Sequence, residues 1–339
     1  MTIFLNIFIK TMAIFFSFFI IILIIALLLN LIDDQNSKFT LIYGEENSSN
    51  TIAIIELNGL IIEKNRDLVS LTSPFIISPT NIKTQLEDLE EIAPKIIIFS
   101  INSPGGTVSA SKALYDVISD YKKNNNVKIL FHTNELLASG GYWVSTAADE
   151  IYASYGSIIG SIGVKGPDWF YYDQPKTISS GIFGNLVETK NGIKVYSNKA
   201  GISKDIFNPF RKPTTNELDH LQSMVDEIYD DFVRIVSKER KIEVSTIVNE
   251  IGALIYTSKN ALDIHLINDQ INLDSLIQNI IRESEFKNYK VIKVINNKNS
   301  LLREIITSNL NIKEKDLAKE CLSLRSSISV ILSYEAIGC

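Results

Sequence analysis

The run Ala138-Ser139-Gly140-Gly141-Tyr142-Trp143 stands between a strand-like stretch at 127–132 and a helix-like stretch at 142–148. A serine followed by two glycines at a strand-to-helix turn reads as a nucleophile, because such a turn aims the hydroxyl outward. Glycine takes backbone angles closed to other residues and lets a substrate approach the main chain, while free N–H groups at a helix start hold developing negative charge. Taken alone, the same letters also describe an ordinary glycine turn, since Ser-Gly-Gly is common in loops.

Outward from this run, strand and helix alternate. Residues 51–57 are apolar and β-rich and are closed by Asn58-Gly59; Leu86, Leu89 and Ile92 then recur at helical spacing. The run 95–102 is a strand whose centre, Ile96-Ile97-Ile98-Phe99, is apolar on consecutive positions, as in a parallel sheet covered on both faces. Ser103-Pro104-Gly105-Gly106 breaks it, 107–122 reads as a helix, and 151–153 is a further strand. The pattern predicts an α/β fold of repeated strand-helix crossovers. The turns at Gly105-Gly106 and at Ser139-Gly140-Gly141 follow successive strands, so they emerge on one edge of the sheet, where active sites of such folds gather. An N–H of the first turn and that of Gly140, aimed at one oxygen, would make an oxyanion hole. Two unrelated turns are the alternative.

A serine hydroxyl is a weak nucleophile until a base takes its proton. His132 falls inside a strand, His220 in a long helix and His265 in an apolar late segment, and none carries a triad signature. The two cysteines, Cys321 and Cys339, lie at the far terminus, and no HExxH motif or clustered acid set predicts a metal site or cofactor. Lysine remains, provided its surroundings favour the neutral amine. Lys204 has the most apolar local sequence of any lysine outside the N-terminal span, although Asp205 beside it opposes neutrality and a surface lysine is the plainer reading.

Residues 11–32 contain no charged side chain and are long enough to cross a hydrocarbon core of about 30 Å. They predict an uncleaved membrane anchor; a cleavable signal peptide is the rival, but the run is longer than the usual apolar core and lacks a small-x-small site. Lys10 before the span and Asp33-Asp34 after it predict a cytoplasmic N-terminus with the remainder outside. A polar stalk is expected at 35–50 and the main domain at 51–295, with a tail at 296–339 to which no role is assigned. Within the domain, Thr214-Thr215-Asn216-Glu217 has capping-box spacing ahead of a long helix with apolar residues at 218, 221, 225, 228, 232 and 235. Leu273, Leu276, Ile277, Ile280 and Ile281 mark another helix, and 289–295 a last strand. The net charge of −6, with basic residues dispersed, excludes a nucleic-acid footprint.

Ser103-Pro104-Gly105-Gly106, Ala138-Ser139-Gly140-Gly141-Tyr142-Trp143, Gly160-Ser161-Ile162-Gly163-Val164 and Lys204-Asp205 followed by Pro209-Phe210-Arg211 resemble, in order and spacing, the bacterial signal peptide peptidase A family. The likeness spans residues 52–268. It implies a membrane-anchored serine protease with a Clp protease-like or crotonase-like α/β fold and a Ser–Lys dyad. By resemblance, Ser139 is the nucleophile, Lys204 the base, Ser161 the residue that orients the lysine, and Gly140 with Gly105 or Gly106 the oxyanion hole. No cofactor is implied. The implied setting is the outer face of the bacterial cytoplasmic membrane, and the implied substrates are signal peptide remnants and other unfolded or membrane-associated peptides. The chain has one catalytic unit, as in the short form whose members assemble into homo-oligomeric rings. It departs from the family at His265, where glycine is typical, and at Asn268, where aspartate is typical. A crotonase-type acyl-CoA enzyme and a non-catalytic membrane scaffold of the same fold are the competing readings.

Overall fold

The computed structural model describes residues 2–32, 38–63, 76–171, 180–181, 184–185, 198–284, 286 and 288–295. The tail at 296–339, with Cys321 and Cys339, lies outside the described residues. In chain order the elements are α1 (Thr2–Ile32), β1 (Phe39–Gly44), β2 (Thr51–Asn58), β3 (Leu60–Ile61), β4 (Ile76–Ile77), α2 (Pro79–Glu90), β5 (Ile96–Asn102) and α3 (Val108–Asn124). Next come β6 (Lys128–Thr133), β7 (Leu136–Ala138), α4 (Gly140–Ser145), β8 (Glu150–Ala153), β9 (Ile158–Gly160) and the two-residue strands β10 (Ser180–Gly181) and β11 (Gly184–Asn185). The rest comprises α5 (Thr215–Arg240), α6 (Val244–Thr246) running into a wide turn at Ile247–Ile251, β12 (Ile255–Thr257), α7 (Ser258–Asp263), β13 (Asp269–Gln270), α8 (Leu273–Glu283) and β14 (Lys290–Val294).

Seven strands make the main sheet in the order β1-β14-β2-β5-β6-β8-β13. All neighbours are parallel except β1, which runs antiparallel to β14 at the edge. The period of two along a strand divides the core. Ala53, Ile55, Leu57, Ile97, Phe99 and Ile101 face the layer of α2, α3, α4 and α5, and Phe99 stacks on Phe131 with ring centroids 4.9 Å apart. Ile52, Ile54, Ile96, Ile98 and Leu130 face α8 through Leu276, Ile277 and Ile280. This is the α/β architecture of strand-helix repeats, and the consecutive apolar letters of β5 are explained by burial on both faces.

Two expectations change. Within the stretch read as a polar stalk, Phe39–Gly44 forms the edge strand of the main sheet, with Leu41, Ile42 and Tyr43 partly exposed. The charged and polar residues at 45–50 hid it, because an edge strand pairs through its backbone and does not need a buried face. The apolar stripe of α5 is buried only near its C-terminal end, at Phe232, Val233 and Val236, whereas Leu218 and Met224 are 47% and 43% exposed. Periodicity reports that a helix has an apolar face but not how much of its length lies on the body.

α1 includes one helical stretch, Ile7–Ile25, with a mean hydropathy of 2.6, long and apolar enough to cross a membrane.

Candidate active site

Ser139 follows not β6, as the strand-like run before it suggested, but the short strand β7, which belongs to a second sheet in the order β12-β9-β7. Ala138 pairs with Gly160 across β7 and β9, and the Ser139 N–H donates to the Gly160 carbonyl at 2.9 Å. On the other side, Ser103 bridges Leu137: its N–H donates to Leu136 O at 2.8 Å, and Ala138 N–H donates to Ser103 O at 3.1 Å. The chain then turns sharply into α4 with Ser139 at φ 53 and ψ −124. A non-glycine residue holds such angles only where its surroundings over-determine them, and such strain gathers at functional sites. The surroundings here are fixed by α4, every residue of which is buried. Tyr142 donates its hydroxyl to Leu266 O at 2.8 Å, and Trp143 stacks on Phe232 of α5 at 4.6 Å. Burial of the Tyr142 phenol pushes its pKa up, so it remains a neutral donor.

The Ser139 hydroxyl is buried and has no hydrogen-bond partner among the described residues. An unpaired buried hydroxyl costs about 1–3 kcal/mol, and one held at a strained turn is poised for a partner from outside. The two glycine turns do meet. A Cβ placed on Gly105, at φ 109, would lie 3.0 Å from Ser139 Cβ and 2.8 Å from the Gly140 nitrogen, so only glycine allows this approach. Gly105 N–H donates to Ser103 Oγ at 3.1 Å, and that hydroxyl donates to Gly59 O at 2.7 Å. The Gly106 nitrogen lies 3.2 Å from the position a Gly140 Cβ would take. Gly140, first residue of α4, has no acceptor within its own helix. The Gly106 amide thus lies close to Gly140, the residue after Ser139, while the Gly105 amide is occupied by Ser103.

Ser161 follows Gly160 directly, at φ 54, and its N–H donates to Leu254 O at 2.7 Å. The structure thus brings Ser139, Gly105, Gly106, Gly140 and Ser161 together. It does not bring Lys204 to them within one chain. Lys204 is exposed, and no hydrogen bond joins it to Ser139 or Ser161 among the described residues. The length of α5 between the contacts that anchor the two regions measures how far apart those contacts lie. The loop carrying Lys204 is tied to the first turn of α5 through Arg211 and Glu217, whereas Trp143 rests on Phe232, fifteen residues along the same helix, or about 22 Å. Residues 161–170 run beside α5 without helix or strand: Gly166 lies against Val225 and Trp169 against Arg211.

The Asp205 carboxylate, which by sequence threatened to hold a proton on Lys204, is occupied elsewhere. Arg211 grips it with Nε at 3.0 Å and Nη2 at 3.0 Å, and Lys199 adds a contact at 2.5 Å. Those bonds, Arg211 first, hold the Asp205 carboxyl down at about 2. Arg211 also clasps Glu217 at 2.9 and 2.7 Å, and this, with the Thr214 backbone N–H, keeps the Glu217 carboxyl far below its usual range.

The histidines take no part. His132 is buried at the end of β6 with Nε2 2.9 Å from Ile271 O, and burial pushes its pKa down; His220 is exposed on α5. The departures at His265 and Asn268 leave the local structure intact. His265 sits at φ 61, which explains the glycine expected there, and Arg240 binds its carbonyl. Asn268 Oδ1 accepts from Ile151 N–H at 2.9 Å and from Arg240 at 2.8 Å, so an amide oxygen does what a carboxylate oxygen would. Among the described residues no group of three or more His, Cys, Asp or Glu could hold a metal ion. Sequence reasoning did not single out Ser111, buried on α3 with an unpaired hydroxyl against Gly140, because serine in a helix carries no signal.

Residues 121–287 match the model of peptidase family S49. A Methanocaldococcus jannaschii protein that carries a protease name is 32% identical over 61% of this chain and 62% of its own length. An Enterococcus faecium protein named for signal peptide peptidase SppA is 29% identical over 74% of this chain and 69% of its own. Among solved structures, a mutant form of the membrane-bound stomatin-specific protease 1510-N is 14% identical with a TM-score of 0.42, covering 68% of this chain and 84% of that one. The chain thus spans a little under two thirds of the length of the first of these relatives. The segment 121–287 thus matches peptidase family S49, and the chain is similar to proteins that carry protease and signal peptide peptidase A names.

Proposed function

We propose that the protein is a membrane-anchored serine endopeptidase that degrades cleaved signal peptides, with Ser139 as nucleophile and Lys204 of a second copy as general base. The observation that carries the reading is the buried Ser139 hydroxyl at a strained turn, without a hydrogen-bond partner among the described residues, with Gly140 next in the chain and Gly106 packed close to Gly140. Oγ adds to the scissile carbonyl as its proton passes to the neutral lysine amine, and the two N–H groups hold the oxygen that becomes negative. The ammonium then protonates the departing amine, leaving an acyl-serine, and water repeats the sequence to regenerate the hydroxyl. The amides need no reorganisation as charge develops, because α4 and the Ile61–Thr107 backbone bond fix them.

The separation of Lys204 from Ser139 along α5 supports pairing between copies. Ile202 and Leu218, near the lysine, and Leu254 and Ile255, near Ser161, are exposed apolar side chains that a second copy could cover. Head-to-tail contacts of this kind make a ring where the rotation between copies closes. With residues 11–32 in the bacterial cytoplasmic membrane and the remainder outside, the enzyme meets apolar signal peptide remnants where they reside. The test is cleavage of a signal peptide together with labelling by a fluorophosphonate. Wild type should be labelled at Ser139; Ser139→Ala and Lys204→Ala should each lose cleavage by at least about a thousandfold while remaining folded. Unlabelled, inactive wild-type protein would favour the scaffold reading.

A further inference from the structure

The lysine segment has a feature that the catalytic reading leaves unused. Arg211 sits at the junction of three pieces of chain. It binds Asp205 on the lysine segment and Glu217 in the first turn of α5. The Trp169 ring lies against its guanidinium at 5.1 Å, and that ring also contacts Phe207 at 5.4 Å and donates to Asn208 O at 3.3 Å. The carboxylates it holds are shielded, with side-chain exposures of 15% for Asp205 and 5% for Glu217. Lys204, the residue next to Asp205, pairs with no carboxylate among the described residues.

We propose that Arg211 is a positioning residue for the general base: by occupying the carboxylate of Asp205 it leaves the Lys204 amine free of a counter-ion and fixes the segment that presents it. The inference rests on the reading of Lys204 as the base. Its physical ground is charge balance. Lys199 and Arg211 supply two positive charges against the two negative charges of Asp205 and Glu217. Without Arg211, Asp205 keeps only Lys199 and Glu217 loses its cation, and Lys204 is the residue next to Asp205 in the chain. An ammonium beside surplus negative charge keeps its proton to higher pH, and a protonated lysine is not a base. Arginine suits the post because its planar fork meets both carboxylates at once and is charged at every working pH.

The other charged groups near the segment do not supply that balance. Lys212 lies over Tyr171, and Lys165 pairs with Asp168 at 3.4 Å on the stretch that carries Trp169. Asp219 and His220, further along α5, are exposed. None of these has a contact with Asp205 or Glu217 among the described residues.

The experiment is the pH dependence of kcat/KM for peptide cleavage by the assembled full-length enzyme, in wild type, Arg211→Gln, Asp205→Asn and the double variant. Arg211→Gln should lose about tenfold at neutral pH and regain most of it in alkali, with the rising limb displaced upward by about one pH unit. Adding Asp205→Asn should return the limb toward wild type and recover neutral activity. A loss equal at every pH, or no recovery in the double variant, would overturn the proposal and leave Arg211 a purely structural tie. Should Arg211→Gln fail to assemble, Arg211→Lys keeps one charge without the fork, and its limb should move in the same direction by a smaller amount; an unmoved limb overturns the idea equally. Retained activity in Lys204→Ala would instead sink the dyad itself, an outcome distinct from either.

Discussion

Gly140, the residue after Ser139, is short of space rather than of conformational freedom. A Cβ there would lie 2.2 Å from Ser111 Oγ and 3.1 Å from Ser111 Cβ. Gly140→Ala should therefore destabilise the protein by about 1–3 kcal/mol through overpacking. Ser111→Ala removes the 2.2 Å contact and leaves the 3.1 Å one, so it should relieve most of that cost in the double variant. Denaturant unfolding of the four proteins measures the coupling; additive losses would mean that the backbone turn, not Ser111, sets the limit. At Gly106 the obstacle is main chain, with Ile61 O at 1.8 Å, and no partner substitution can relieve it.

At the scale of elements, the start of α5 and the lysine segment form one electrostatic unit. Asp205, held at about 2, and Glu217, held lower still, lie below their unfolded values of about 3.9 and 4.3. Groups depressed in this way stabilise the folded form above their unfolded values, and the contribution disappears as pH falls through the folded ones. The segment should loosen between about pH 4 and pH 2. Trp169, which rests on Arg211, reports the event: its fluorescence should become accessible to acrylamide in that window, before the main sheet melts. An accessibility that stays flat until global unfolding would show that the ion cluster does not hold the segment in place.

For the whole molecule, the long arm of α5 decides how the site is assembled. Its first turn is tied to the segment that carries Lys204 and its last third packs against α4, so the helix separates the places where Lys204 and Ser139 of one chain are anchored. Mixing Ser139→Ala with Lys204→Ala protein, each inactive alone, should restore activity at interfaces that pair the intact Ser139 of one copy with the intact Lys204 of the next. With random exchange about a quarter of interfaces are of this kind. Verified mixed assemblies without activity would require the dyad to close within each chain.

The sequence by itself determined what local chemistry can encode. The consecutive apolar letters of β5 announced a doubly covered parallel strand, Thr214 to Glu217 announced a capping box that is fully formed, and Ser139 between a strand and two glycines announced the sharp turn into α4. These were legible because period, cap and turn each depend on neighbours in sequence. Tertiary structure alone decided the rest. β14, the last strand among the described residues, inserts between β1 and β2; β7 and β9 belong to a separate small sheet that carries Ser139; and Asp205 turns from its sequence neighbour Lys204 to Arg211. Strand order, burial along a helix and the choice of ion partner depend on which surfaces meet across the fold, and one-dimensional spacing does not contain that information.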